Sequence, residues 1–543
     1  MQSSTSATDK NAYPSATSLA LLPPDQVLNV ATQLAQEVTQ LRDQLAWFKR
    51  QLFGQKSERR VVEPSPDQGV LGAGFMAVPD SQPADKTSDV QGHKRKAKAK
   101  SPNAADESAL FFDENKVPIE TIRLEAPEIA GLRADQYEVI SEKVSYRLAQ
   151  RPASFVVLKY LRPVIKLLNE QTNKSTIHCA SAPAGVLEGS RADVSFIAGM
   201  LIDKLVYHLP LHRQHQRGAA SGLKVSRPWY TQLAQSAIAM LEPIADAQLD
   251  SIRQSRVIAM DETSIKAGVV SPGKMRSAFF WPIYGALDEI NFAYYPDRKG
   301  KNVLDALGLS PPEGAVLLSD GYSAYASYAK QTGLTHAQCW AHTRRLFFEA
   351  KPNEPVQANQ ALEMIGQLYE IEERIRENKL GTAAALAMRQ AQSKPIVDKF
   401  FKWIDKQFEN QGFLPRSLLT KALAYAKERA DGLKVFLNDA EVPIDTNHVE
   451  RALRAIPMGR KNWMFCWTEL GAQHIGIMQS LLVTCKLQDV DPYDYLVDVL
   501  QRVSIHPQSK VHELTPRHWK RLFAENPLRS DLHRFTKTGY NAA

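Results

Sequence analysis

The run Arg256-Val-Ile-Ala-Met-Asp-Glu-Thr, apolar and then abruptly acidic, limits this chain more than any other stretch of it. Consecutive apolar side chains suit a strand buried on both faces of a sheet, with helices covering both sides. Two adjacent carboxylates at the end of such a strand need a reason, because a buried charge without a partner is costly. Strand alternation predicts that Asp261 and Glu262 point to opposite faces, so that only one enters a shared site. Asp261 is the first choice, and Glu262 is its stand-in.

The pattern recurs at Gly314-Ala-Val-Leu-Leu-Ser-Asp-Gly-Tyr, which ends its apolar run at Asp320. Between the two runs lie aromatic-rich strand candidates, Ala278 to Ala286 and Ile290 to Pro296, joined by Leu287-Asp-Glu, and then a helix-like piece from Val303. In the order β-β-β-α-β the helix supplies a crossover, so the first and fourth strands are predicted to lie parallel and adjacent, with Asp261 beside Asp320. A third acid, Glu450, sits in the helix-like Asn447-His-Val-Glu-Arg-Ala-Leu-Arg. Three carboxylates around one point repel one another unless a cation is held between them, and magnesium suits an all-oxygen site. Two such ions about 4 Å apart activate a water or a 3′-hydroxyl and stabilise the leaving oxygen at phosphorus. Arg451, Arg454, Arg460 and Lys461 follow closely and could hold a DNA backbone. Each acid also has a plainer reading: Asp261 capping a turn, Asp320 preceding the Gly321 turn, Glu450 paired with Arg454 on a helix surface.

Along the rest of the chain, residues 1–24 are Ser-, Thr-, Ala- and Pro-rich and read as a disordered lead-in. Over 25–60, Ala31, Val38, Leu45 and Leu52 recur every seven residues with Val27, Leu34, Leu41 and Phe48 on the complementary seam. That is a coiled-coil heptad, or an amphipathic helix packed on its own chain. Residues 61–115 form a linker carrying His93 to Lys100, in which Lys94, Arg95 and Lys96 either neutralise phosphates or are simply solvated. Alternating stretches between 116 and 185 predict a small β-rich module of hairpins. Residues 186–250 are helical; a turn at Gly222 and a new helix with Ser226 as N-cap and Pro228 in its first turn give helix-turn-helix geometry. Arg213, Arg217, Lys224 and Arg227 near that turn would serve a DNA-reading version, and an ordinary helical pair is the alternative.

The net charge of +8, from 67 basic and 59 acidic residues, favours a polyanionic partner only modestly, so clustering matters more than the total. The four cysteines, Cys179, Cys339, Cys466 and Cys485, form no Cys-x-x-Cys pair and read as reduced thiols. No leader pattern and no apolar run of roughly 18 to 20 residues is present, so a cytoplasmic protein without a membrane span is expected. His336 and His342 flank Cys339 and Trp340 in a way that invites a metal, but Arg344, Arg345, Leu346 and Phe347 follow at helical spacing. The helix reading is preferred, with His342 and Arg345 able to face DNA from it.

Asp-Glu-Thr at 261–263, Tyr295-Pro-Asp-Arg-Lys-Gly, Ser319-Asp-Gly-Tyr, Cys339-Trp-Ala-His-Thr-Arg-Arg, Asn447 to Arg454 and Met458-Gly-Arg-Lys-Asn-Trp together resemble the transposases of the insertion sequence 66 family. The resemblance runs from about Gln51 to Pro507. It implies a multidomain α/β protein whose ribonuclease-H-like DDE catalytic domain occupies 251–470, with Asp261, Asp320 and Glu450 as the triad and a helical insertion at about 355–436. A C-terminal helical domain at 471–510 and a basic tail at 511–543 would follow. The implied activity is metal-dependent cleavage and strand transfer at the ends of a mobile element, with two Mg2+ or Mn2+ ions. Arg298 and Lys299 of the Tyr295 motif, with Arg344 and Arg345, would join the DNA contacts. Implied partners are element-end and target DNA, a second copy paired through the coiled coil, and accessory proteins of the same element. Family members carry two cysteine pairs in the β-rich module; here only Cys179 is present, so zinc is not expected. A catalytically inactive DNA-binding regulator and a nuclease without strand transfer are the rival readings.

Overall fold

The computed structural model describes residues 110–535, with short gaps within 127–136 and at 152–153, 170–173, 184, 410–416 and 464. The heptad segment and the basic run with Lys94, Arg95 and Lys96 lie outside the described residues. Strands β1 (Ile119–Arg123), β2 (Tyr137–Arg151), β3 (Ser154–Asn169) and β4 (Lys174–Cys179) make a four-stranded sheet. Its spine is the long antiparallel β2–β3 hairpin, with β1 parallel to the first half of β3 and β4 antiparallel to its second half. Ala149, Val156, Leu158 and Tyr160 are buried on one face, and Cys179 is a free thiol.

Three helices follow: α1 (Val194–Leu205), α2 (Leu211–Ala220) and α3 (Arg227–Arg253). The Asp193 carboxylate caps α1 by accepting the Ser195 N–H. Helix α3 begins after Ser226 with Pro228 in its first turn, where the fixed proline φ suits helix entry. The turn before it needs Gly222, whose φ is +96° and whose Cβ, were there one, would lie 2.9 Å from Cβ of Lys116. Helix α3 is 27 residues long. Its buried stripe, from Tyr230 through Leu233, Ala237, Leu241 and Ile244 to Ile252, continues onto the second sheet.

That sheet is built from β5 (Val257–Met260), β6 (Thr263–Ser271), β7 (Lys274–Tyr284) and β8 (Ile290–Tyr295), then α4 (Lys301–Leu307), β9 (Val316–Ser319), α5 (Ser323–Thr332), β10 (Thr335–Gln338) and α6 (Trp340–Ala350). β5 and β6 lie end to end along β7, antiparallel to it, and β8 flanks β7 on its other side. β9 lies parallel to β5, and β10 parallel to β9. All four residues of β5 and all four of β9 are buried, as the continuous apolar runs require.

A helical insertion comes next: α7 (Pro355–Glu377), α8 (Thr382–Met388), a π-helical turn at Arg389–Ser393, α9 (Lys394–Glu409), α10 (Leu418–Glu428) and α11 (Ala430–Asn438). The chain then returns through α12 (Asn447–Leu453) and α13 (Ala455–Trp463) to a short strand, β11 (Phe465–Cys466), parallel to β6. Helix α14 (Glu469–Leu487) lies across β8 and α3. The buried Gln248 amide of α3 joins the three by donating to Ile290 O at 2.7 Å, Thr484 Oγ1 at 2.9 Å and Ser480 O at 3.2 Å. Helix α15 (Pro492–Arg502) follows. Beyond residue 511, where composition reads as a polar tail, the chain forms α16 (Pro516–Leu522) and a 3-10 turn at Asp531–Phe535. There the Asp531 carboxylate accepts the Tyr160 hydroxyl of β3 at 2.9 Å. Among the described residues, no helix is long and apolar enough to cross a membrane.

Gly476 allows α14 to lie this close, since a Cβ there would meet Phe292 O of β8 at 2.4 Å. Gly476→Ala is expected to lower stability by about 1–3 kcal/mol through overpacking, read as a lower urea midpoint at unchanged slope. An unchanged midpoint would mean that the helix does not rest on β8.

Candidate active site

The register of the parallel pair places the first two acids. Val257, Ile258 and Ala259 sit opposite Val316, Leu317 and Leu318, and the same register carried two residues further sets Asp261 opposite Asp320. Both therefore stand at the carboxyl ends of adjacent parallel strands, where open α/β sheets carry their sites. The Asp320 carboxylate accepts the Tyr322 N–H at 2.9 Å, and that of Asp261 accepts the Glu262 N–H at 2.8 Å. Glu450 arrives from the first turn of α12, with its Oε1 3.9 Å from Nε2 of His342 in the first turn of α6.

Asp261 senses the other two acids. Burial, with the charges of Glu262, Asp320 and Glu450 adding to it, pushes the Asp261 carboxyl up to about 7. His342 is lowered by burial, with Arg345 adding to the shift and Asp320, Glu450 and Asp445 opposing it. Burial likewise lowers His336 to about 4, and its ring bonds Ser319 Oγ at 2.8 Å, next to Asp320.

Asp261 and Glu262 fall in the gap between β5 and β6, so strand alternation does not govern them. Burial raises both carboxyls, with the charge of Asp320 adding to each shift. What separates them is their partners. Glu262 is ion-paired with Arg298 and accepts the Tyr325 hydroxyl at 2.8 Å, so its charge is already compensated. Among the described residues, no lysine or arginine is ion-paired with Asp261, Asp320 or Glu450.

An uncompensated, all-oxygen donor set from three separate elements fits a hard divalent cation in its chemistry. The side chains do not stand at the spacing of a formed shell. Among the described residues, no three His, Cys, Asp or Glu side chains are grouped closely enough to hold a metal ion.

The cations expected to meet DNA divide into several sets. Arg344 and Arg345 on α6, Arg451 on α12 and Arg454 at the C-cap of α12 are exposed, on or beside the two helices that carry His342 and Glu450. Arg298 is committed to Glu262 and lies over the Tyr322 ring at 4.2 Å, while Lys299 pairs with Asp297 at 2.8 Å. Arg460 donates to Ser264 on β6. Lys461 falls on α13. Arg213 and Arg217 lie on α2, Lys224 in the turn and Arg227 at the start of α3; all four are exposed, and Arg217 is ion-paired with Asp203. The motifs gave no hint of Arg429, which ends α10, stacks on Tyr425 at 3.9 Å and donates to Gly321 O at 3.2 Å, beside Asp320. Nor did they indicate Tyr325 on α5, whose hydroxyl donates to Glu262.

Comparison with known proteins gives the family. The model described as "Transposase IS66 family" matches residues 189–474, more than half of the chain, including both strand ends and Glu450. The chain belongs to this transposase family. The IS66 C-terminal element matches 480–517, and a model described as "Transposase C of IS166 homeodomain" matches 40–106. Among curated relatives, the chain is similar to the uncharacterized protein y4hP of Sinorhizobium fredii (strain NBRC 101917 / NGR234), 28% identical over 511 residues and 88% of each chain. The uncharacterized protein y4qI of the same strain is 29% identical over 503 residues, covering 89% of this chain and 90% of the relative.

The raised Asp261 fixes the sign of a pH effect. The folded chain holds that proton more tightly than the unfolded chain, so the ionised carboxylate destabilises the fold above pH 7. The loss fades as pH falls from about 7 towards 4. In metal-free buffer at pH 8, Asp261→Asn is expected to melt on the order of 2 to 4 °C above wild type, with the gap narrowing below pH 7 and closing towards pH 4. Equal melting temperatures at pH 8 would show that Asp261 carries no such strain.

Proposed function

We propose that this chain is a catalytic DDE transposase, which cleaves element-end DNA and joins it to a target with Asp261, Asp320 and Glu450 as its metal-holding triad. The observation that carries the reading is the parallel β5–β9 register, which ends two strands on level carboxylates, with Glu450 brought to the same charge cluster by α12. A ribonuclease-H-like core is supported by the sheet, in which antiparallel β8, β7 and β5/β6 are continued by parallel β9 and β10.

When bound, two Mg2+ or Mn2+ ions would supply activation of the attacking oxygen and charge stabilisation at the leaving oxygen. In the first step a water oxygen attacks phosphorus and the bond to the 3′ oxygen breaks, leaving a 3′-hydroxyl and a 5′-phosphate. In the second, that hydroxyl attacks a target phosphodiester and displaces another 3′ oxygen, which takes up a proton. Asp261, Asp320 and Glu450 would hold the ions. Glu262, neutralised by Arg298, stays outside the donor set and helps fix the loop. Arg344, Arg345, Arg451 and Arg454 would hold backbone phosphates on either side of the scissile bond. Pairing of two copies through the N-terminal heptads, and accessory proteins of the same element, complete the proposal.

The test is cleavage of labelled element-end DNA and joining to a supercoiled plasmid, with Mg2+ or Mn2+. Asp261→Asn, Asp320→Asn and Glu450→Gln should each lose at least about a hundredfold in cleavage while still binding DNA, and Glu262→Gln should keep cutting. A triad variant that cuts like wild type would remove that acid from the site. Nicked plasmid without joined product would make the protein a nuclease.

A further inference from the structure

Helix α12 is only seven residues long, too short to hold its own position by helical hydrogen bonding. Yet Glu450 must be fixed relative to Asp320, which lies at the end of a strand in another part of the chain. One link between them passes through Cys339. The backbone N–H of Cys339 donates to Ser319 O at 3.1 Å, tying it to the residue before Asp320. Its sulfur accepts both the backbone N–H and the hydroxyl of Thr446, each at 3.3 Å. Thr446 is the residue preceding α12, and its carbonyl accepts the Glu450 N–H at 3.0 Å. A parallel strut runs beside it, from the Trp340 N–H to Ile444 O at 3.1 Å. Cys339 and Thr446 are each only 1% exposed, so water cannot replace these bonds.

We propose that Cys339 is a positioning residue, which sets the separation of Glu450 from Asp320 by holding the start of α12 against the end of β9. The inference rests on the triad reading above. A thiol suits the task chemically. Its large, soft sulfur can take two donors at once, and being neutral it adds no negative charge close to the Asp445 carboxylate. Aspartate could accept the same bonds, but would deepen the repulsion. Alanine would leave the Thr446 hydroxyl and N–H buried and unsatisfied, a loss that favours displacement of the short helix.

The experiment uses the full chain as wild type, Cys339→Ala, Cys339→Ser and Thr446→Val, with two readouts: Mn2+ binding by calorimetry, and amide hydrogen exchange in metal-free buffer. Cys339→Ala should speed exchange at residues 446–450 by about fivefold or more and weaken Mn2+ binding by about ten- to a hundredfold. Cys339→Ser, which keeps an acceptor, should restore both largely, and Thr446→Val should fall between. Unchanged exchange in Cys339→Ala would overturn the anchor. Faster exchange with undiminished Mn2+ binding would reduce the contact to ordinary packing and overturn the positioning role. If wild type binds no Mn2+ at all, the triad reading fails, and the role assigned to Cys339 fails with it; exchange then shows separately whether the anchor exists.

Discussion

Everything at the candidate site depends on two four-residue strands lying side by side in parallel, β5 and β9. Their side chains are apolar and wholly buried, so the pairing is driven by removal of hydrocarbon from water and held by backbone hydrogen bonds within the sheet. The next residue of each chain is a carboxylate. The favourable burial thus forces an unfavourable encounter, in which Asp261 and Asp320 emerge level at one sheet end and the charge of Glu450 adds to the repulsion felt by Asp261. Stability given up in this way at one place is common where a site must be ready for a charged ligand.

The surrounding elements hold that encounter in place. Insertion helices brace the strand ends directly: Trp340 Nε1 donates to Leu433 O at 2.8 Å, and Arg429 reaches Gly321 O. Gly432 lies so near β10 that a Cβ would meet Gln338 Cγ at 2.5 Å. At the other end of β5, Arg256 pairs with Asp439 and Glu441 where the insertion ends, and Asp439 is held below the usual carboxylate range by that guanidinium. On the side of the sheet near β8, the Gln248 amide and the Ser480 hydroxyl lock α3 and α14 to the strand. Buried polar groups that are satisfied in this way fix one arrangement among many compact ones.

Much of this was readable beforehand because it is local or periodic. The N-cap at Ser226, the proline after it, the hairpin alternation from Tyr137 to Ile165 and the crossover that sets β5 beside β9 all follow from patterns spanning a few residues. The partition between Asp261 and Glu262 was not readable. It depends on a strand break at those two residues and on Arg298 and Tyr325, which come from separate elements. Arg429 was missed for the same reason, since a basic residue at the end of an insertion helix carries no local mark of the loop it touches. The polar C-terminus hid α16 and the Asp531 contact, because a segment can be fixed by a few polar bonds to distant residues without an apolar pattern of its own.

The sequence by itself determined which residues are acids at strand ends, which runs are apolar enough to be central strands, and which family the chain resembles, since composition and period act over short distances. Tertiary structure alone decided which acid is left without a counter-charge, how the helix carrying Glu450 is tied to the strand carrying Asp320, and which arginines remain exposed. Those outcomes depend on contacts between residues far apart in the chain, 36 positions for Glu262 and Arg298 and 107 for Cys339 and Thr446, and only packing of the whole chain sets such contacts.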